Sequence, residues 1–385
     1  MKILLVNRWG SLNVAGGAEQ VFFAMASALS AKYDVTALAM TQRGGKPFFY
    51  MSPKVHFIHM DHCYGKQKNL VHKILRSFRI RKLQRRSYDQ QYEDPIWGAM
   101  MEPVIRQTNP DVIVAFSLDL ARMILQWTDT CKPVIVMFHQ SSETVLKNLT
   151  PASKRALEEA ACVQVLMKSD LPVVQKRAAC RRLVCIPNAI VVPEYASSLK
   201  NKKIVHMARF NRNTKRQHLL IEAFRLLHPA FPGWKLELWG DGDPDHDTYT
   251  KYCYDLVKQA GLEHEISFCG TTRQVEEVLS EGSIFAFPSS EEGMGICLAE
   301  AMAVGLPAVG YRSCHAVNEI IRDKGNGFLC EDGVEPFAEA LRRLMSDEGL
   351  RKKMGYEAKR TAEAYEASKI WGKWGILLEE TASGR

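Results

Sequence analysis

Short apolar runs recur along the chain. Each is closed by a polar loop bearing glycine or proline, and helically spaced apolar positions follow. In the first half the runs are Ile3–Val6, Val35–Ala39, Asp111–Phe116, Val134–Phe138, Val163–Leu166 and Leu183–Ile186. In the second half they are Lys203–Ala208, Trp234–Trp239, Ile266–Thr271, Ile284–Phe287 and Ala308–Gly310. Near-continuous apolar runs predict strands covered on both faces, and amphipathic stretches between them predict the helical crossovers of a parallel sheet. The alternation repeats in both halves. The predicted fold is therefore α/β, two doubly wound Rossmann-like domains facing an interdomain cleft. From Tyr50 to Pro103 the pattern is not legible. Residues 335–380 are predicted helical, with Trp371 and Trp374 as large apolar anchors.

The most informative stretch runs from Ser289 to Pro307. The strand Ile284–Phe287 stops at Pro288, a polar loop follows, and a helix is predicted from about Gly295 to Gly305-Leu306-Pro307. Loops at the carboxyl edge of such a strand are where open α/β sheets bind ligands. The helix start offers amide groups and a positive dipole end to a phosphate or a polarised hydroxyl. Gly293 and Gly295 let backbone approach a ligand closely. Glu292 in the loop and Glu300 in the helix can both accept hydrogen bonds from vicinal hydroxyls, which a sugar and a ribose each present.

Three other strand ends carry candidate chemistry. Arg209 closes the run Lys203–Ala208 and Lys215 lies in the loop after it. A guanidinium fork and a point-charge ammonium suit a diphosphate. Gly16-Gly17 opens the first helix; it is either a tight turn or a loop whose amides meet a phosphate or sugar hydroxyl. His139 follows the strand Val134–Phe138 directly, and Asp119 is a strand-end acid with no assigned role. Gly-x-Gly-x-x-Gly is absent, so a dinucleotide fingerprint is not supported. Asp241-x-Asp243 is read as part of a glycine-bearing turn and not as a metal site, because Mg²⁺ needs more converging oxygens.

Composition narrows the setting. The chain has 385 residues, too many for one ordinary core. No apolar run is long enough to span a bilayer, and the N-terminal run reads as a strand, not a signal peptide. The ten cysteines include no Cys-x-x-Cys pair, as in a reduced cytoplasmic protein. The net charge of +8 asks for an anionic partner. Residues 66–86 carry Lys66, Lys68, Lys73, Arg76, Arg79, Arg81, Lys82, Arg85 and Arg86 without an acid, around a helically spaced stripe of Val71, Ile74, Leu75 and Phe78. Such a helix either lies peripherally on an anionic membrane or packs its stripe on its own domain. Nucleic acid is not expected, since no aromatic platform accompanies the charge.

The run Glu292-Gly293-Met294-Gly295, with Glu300 and the later Gly305-Leu306-Pro307, resembles the Glu-x7-Glu signature of retaining glycosyltransferases of family 4, which have the GT-B fold. Pro187-Asn188-Ala189 resembles that family's Pro-Asn-Gly element, with alanine for the usual glycine. Arg209, Lys215 and Leu219–Phe224 resemble its Gly-Arg…Lys…Leu-Leu-Ile-Glu-Ala-Phe element, with Ala208 for glycine. The resemblance implies an acceptor-side domain at 1–192 and a nucleotide-sugar-binding domain at 200–365, joined by a loose linker at 191–201. It also implies that a C-terminal helix, about 366–385, returns to the first domain.

The implied activity is retaining transfer of a hexose or N-acetylhexosamine from a nucleotide sugar, expected to be UDP-linked. The acceptor is a glycan or lipid-linked oligosaccharide of cell-surface polysaccharide or lipopolysaccharide assembly at the cytoplasmic face of the membrane. Arg209, Lys215, the helix start and the Gly17 amide would stabilise the leaving diphosphate, with no metal and no cofactor. Glu292 would hold the donor sugar and Glu300 the ribose. By the resemblance, His139 would approach the donor sugar, Gly16-Gly17 would face the cleft, and Gly270-Thr271 would read the base. The donor set is completed by Gly293, Met294, Gly295 and Ile296. Other readings are a GT-B epimerase, a phosphorylase, or a non-catalytic binder of sugar nucleotides or anionic lipid.

Overall fold

A computed structural model of the chain describes residues 1–8, 12, 16–41, 45–61 and 82–384. The segment 66–81 of the basic stretch thus lies outside the described residues. The chain divides into two compact units, Met1–Pro187 with Ile370–Arg385, and Asn188–Lys369.

In the first unit the strands are β1 (Lys2–Asn7), β2 (Asp34–Thr41), β3 (His56–Asp61), β4 (Val112–Ala115), β5 (Val134–Met137), β6 (Cys162–Val165) and β7 (Leu183–Cys185). They form one sheet in the order β3-β2-β1-β4-β5-β6-β7, parallel throughout. Ile3, Leu4, Leu5 and Val6 of β1 and all of β4 are buried. That explains why these strands read as unbroken apolar runs instead of alternating ones. The crossovers include α1 (Gly17–Leu29), α2 (Lys82–Thr108), α3 (Leu118–Trp127) and α4 (Pro151–Glu159).

β3 and α2 occupy the stretch whose pattern was illegible. α2 runs through Pro95 and Pro103, residues that ordinarily end a helix. It persists because Trp97, Met101, Val104 and Ile105 sink into the first unit's core, and packing outweighs the lost hydrogen bonds. Arg85 and Arg86 lie in its first turns.

The second unit repeats the plan with β8 (Lys203–Met207), β9 (Lys235–Trp239), β10 (Ile266–Gly270), β11 (Ile284–Phe287), β12 (Ala308–Tyr311) and β13 (Gly327–Cys330). Their order is β10-β9-β8-β11-β12-β13, again parallel. Its helices include α5 (Gln217–Leu227), α6 (Thr248–Ala260), α7 (Ile296–Ala303), α8 (Val334–Ser346) and α9 (Glu348–Ala362). In each sheet the strand order reverses beside the first strand, at β1/β4 and at β8/β11.

The stretch 191–201 is not a loose linker; it is fastened to the second unit. Ser197 donates from its amide to Val304 O at 2.8 Å and from Oγ to Gly282 O at 2.5 Å. The Lys359 ammonium donates to the carbonyls of Pro193, Glu194 and Tyr195 at 2.8, 3.1 and 2.8 Å. The last helix, α10 (Ala367–Ala382), buries Ile370, Trp374, Leu377 and Leu378. Within the first unit its Glu379 accepts from Lys32 Nζ and Tyr33 Oη, both at 2.7 Å.

Candidate functional site

The site is built at the carboxyl edge of the second unit's sheet, where β8 and β11 lie side by side. β11 is wholly buried, so its direction is fixed. At Pro288 the chain turns out into the loop that ends on Gly295. Gly295 sits at φ +79°, a left-handed conformation that disfavours a side chain. A Cβ there would also stand 3.0 Å from the Phe287 ring. α7 starts at the next residue, and among the described residues no side chain caps its first amides, which are thus positioned to meet an anion.

The β8–α5 loop meets this loop directly. Asn211 Oδ1 accepts from the amides of Asn213 and Thr214 at 3.0 and 2.9 Å, closing a tight Asx-type turn. Ser290 then ties the two loops together, donating from its amide to Thr214 O at 2.9 Å and from Oγ to Asn213 O at 2.8 Å. In the framework so made, Lys215 Nζ and Glu292 Oε1 form a direct ion pair. The side chains are only 18% and 8% exposed, so each charge depends on the other for most of the solvation it has lost. Lys215 Nζ also lies 5.8 Å from the Phe287 ring centroid.

Glu300, 6% exposed, lies on α7 one turn beyond Cys297. Burial pushes the Cys297 thiol up to about 12; Lys215 opposes this, and Glu292 and Glu300 add to it. Cys314, also buried, rises to about 11 from burial and from Glu292. The loop's remaining residues take distinct places. Met294 is buried, and its Sδ accepts from the Asn188 amide at 3.2 Å; Gly293 and Ile296 are half-buried.

Arg209 follows β8, but its exposed side chain makes no hydrogen bond or ion pair among the described residues. Its carbonyl accepts from Gln217 Nε2 at 3.0 Å. Gly270, at φ +70°, and Thr271 are exposed at the end of β10. Gly270 O accepts from the Gly240 amide at 2.7 Å, tying neighbouring strand ends together. Asp243 accepts from His246 Nδ1 at 2.6 Å and from the Asp245 amide at 2.9 Å, as a turn residue does.

Three predicted residues lie in the first unit. Gly16 is the N-cap of α1 and Gly17 its first residue, exposed. His139 sits just past β5, its ring stacked on Phe116 at 5.1 Å. The residue as a whole is half-buried, yet its Nε2 is shut from solvent without a partner among the described residues. Burial lowers its pKa to about 4.

Sequence reasoning missed Arg216 and His206. Arg216, in the left-handed region at φ 54°, donates to Pro288 O at 2.9 Å and Asp332 Oδ1 at 2.8 Å and lies over Tyr311. It ties the start of α5 to the end of β11 and to Asp332, and nothing in a run of cations marks it out in sequence. His206 is fully buried on β8 with Nδ1 2.8 Å from Ala286 O. If Nδ1 carries the proton, Nε2 is a bare acceptor; it has no partner among the described residues.

Residues 191–361 match the family Glycosyl transferases group 1. Each unit is a parallel-sheet, Rossmann-like α/β domain, and the solved structures on which the chain superposes include GT-B glycosyltransferases. A sucrose-phosphate synthase from Thermosynechococcus elongatus superposes with TM-score 0.78 at 16% identity, covering all of both chains. Anabaena HepE, solved in complex with UDP and glucose, superposes with TM-score 0.70 at 17% identity, covering 99% of this chain and 100% of that one. Among curated proteins, an exopolysaccharide phosphotransferase from Streptomyces coelicolor is 28% identical over all of this chain, which spans 41% of that relative's length.

Proposed function

We propose that this protein is a retaining, metal-independent glycosyltransferase of family 4. It moves a hexose or N-acetylhexosamine from a UDP-sugar to a glycan or lipid-linked acceptor in cell-surface polysaccharide assembly. The observation that carries the reading is the Lys215–Glu292 ion pair beside an uncapped helix start. A diphosphate entering this site offers Lys215 a new counter-charge. Glu292, so released, accepts hydrogen bonds from the donor sugar's hydroxyls. Arg209, unengaged among the described residues, supplies a second cation, and Glu300 takes the ribose hydroxyls. Gly270 and Thr271 lie beside the base, and Gly293, Met294 and Ile296 complete the loop around the phosphates.

As the bond from the anomeric carbon to the β-phosphate oxygen breaks, its electron pair goes to the diphosphate. Lys215, Arg209 and the α7 amides stabilise that growing charge. The acceptor hydroxyl adds to the same face of the sugar and passes its proton to the departing phosphate. His139, kept neutral by burial, contacts the donor sugar, and Gly16-Gly17 contributes amides. Support comes from the family match over residues 191–361 and from the likeness to a fold solved with UDP and glucose. Peripheral membrane contact through residues 66–86, on the cytoplasmic face, is part of the same proposal; no described helix is long and apolar enough to cross a membrane.

The test is UDP release from a panel of UDP-sugars without acceptor. Slow release that is lost in Lys215→Ala and Glu292→Gln, with both variants folded, supports the assignment. Undiminished release in both removes it.

A further inference from the structure

The reversal of strand order in the first unit, between β1 and β4, has its own cavity of about 140 Å³. Sheets of this winding bind ligands outside the carboxyl ends of their strands at such a reversal. Three parts of the chain line it: Arg8 just past β1, residues 86–94 of α2, and the first half of α3. Arg122 of α3, 2% exposed, fixes one wall. Its Nε and Nη2 donate to Asp94 at 2.6 and 2.9 Å, and its Nη1 donates to Asp119 and, at 3.1 Å, to Ser153 Oγ. That bidentate geometry holds two carboxylates in place at the cavity.

Arg8 and Arg86 complete the cationic lining. Arg8, nine-tenths buried, lies 4.2 Å from the Trp97 ring centroid and 3.6 Å from Glu93. Arg86, whose side chain is 35% exposed, stands 3.7 Å from Asp119. Three guanidiniums and four carboxylates therefore line one small space. A phosphate or a uronate entering it meets the carboxylates, and an ammonium meets the guanidiniums. A neutral polyol suits both, because each hydroxyl donates to a carboxylate and accepts from a guanidinium.

We propose that this cavity is a subsite for one neutral monosaccharide ring of the acceptor, selected against acidic sugars. The assignment to the acceptor rests on the glycosyl-transfer reading; the binding of a neutral sugar does not. The test is saturation-transfer NMR on the full chain with the methyl glycosides of glucose and N-acetylglucosamine, against glucuronic acid and glucose 6-phosphate. The neutral glycosides are expected to give transfer and the acidic sugars much less. Arg86→Gln and Asp119→Asn are each expected to weaken neutral binding by about tenfold or more, the loss of one charge-assisted hydrogen bond. If Asp119→Asn melts early, Arg86→Gln, on a partly exposed side chain, decides. Preference for the acidic sugars, absence of neutral binding at millimolar concentration, or unchanged neutral binding in Arg86→Gln would overturn the proposal and leave the charges as a brace between α2 and α3. UDP titrated into the same samples reads the second unit separately. Neutral-sugar binding without UDP binding overturns the transfer reading and keeps the subsite; UDP binding alone overturns the subsite only.

Discussion

Removing one partner of the Lys215–Glu292 pair separates its structural from its chemical role. Breaking a fully buried pair costs about 3–5 kcal/mol, because one charge stays behind unsolvated. Lys215 is 18% exposed and Glu292 8%, and solvent screening at the site's mouth lowers the figure to about 1–2 kcal/mol for either single change. In a unit of this size that is roughly 2–8 °C in Tm. The double variant Lys215→Met/Glu292→Gln leaves no buried charge, and neutral replacements of such pairs are often isoenergetic. Its stability is expected within about 1 kcal/mol of the parent. Turnover is expected to follow a different order. Losing one preorganised stabiliser of the leaving group costs about 10²–10³ in rate, and the double variant recovers none of it. Denaturant unfolding gives the first quantity and UDP release the second. A double variant as active as the parent, or one less stable than both singles, would refute the reasoning.

Three further outcomes follow from the geometry. Burial holds His139 and His206 near a pKa of about 4, below the ordinary 6.5. As pH falls below 6.5 the unfolded chain takes up protons the folded chain refuses. Stability should therefore drop by on the order of 1.4 kcal/mol per pH unit per histidine until about pH 4, then level. His206→Gln should remove one proton from that slope, and an unchanged slope contradicts the assignment. Asp94→Ala removes the bidentate partner of the buried Arg122 guanidinium and leaves it Asp119 and Ser153; the loss of two charge-assisted hydrogen bonds should cost about 2–3 kcal/mol in urea unfolding, and a parent-like midpoint would show the pair to be solvated. Gly240→Ala would place a Cβ 2.0 Å from Ala208 O at φ +145°. A destabilisation above about 2 kcal/mol is expected in the same assay, and a smaller one would mean that the strand ends yield.

The fold was legible where burial made it so. Ile3–Val6 and Ile284–Phe287 are covered on both faces, and their unbroken apolar runs announce parallel strands. β3 and α2 were not legible. β3 is only partly buried on the described side chains, and α2 carries two prolines that local rules place at helix ends. At the candidate site, the juxtaposition of Lys215 with Glu292 could be anticipated because a strand–loop–helix junction with glycines restricts where such residues point. Arg216 looked no different from Lys215 in sequence; its contacts with Pro288, Asp332 and Tyr311 set it apart. Arg8, Asp94 and Arg122 are far apart in the chain and carry no motif, so their cavity emerges only once β1, α2 and α3 are packed.

The most direct test of leaving-group stabilisation by protein cations is UDP release from the best UDP-sugar substrate with a chelator in excess, for the parent and for Lys215→Ala side by side. The expected result is a parent rate indifferent to the chelator and a variant rate lower by about 10²–10³. A parent rate abolished by the chelator, or a variant that keeps pace with it, would contradict the account.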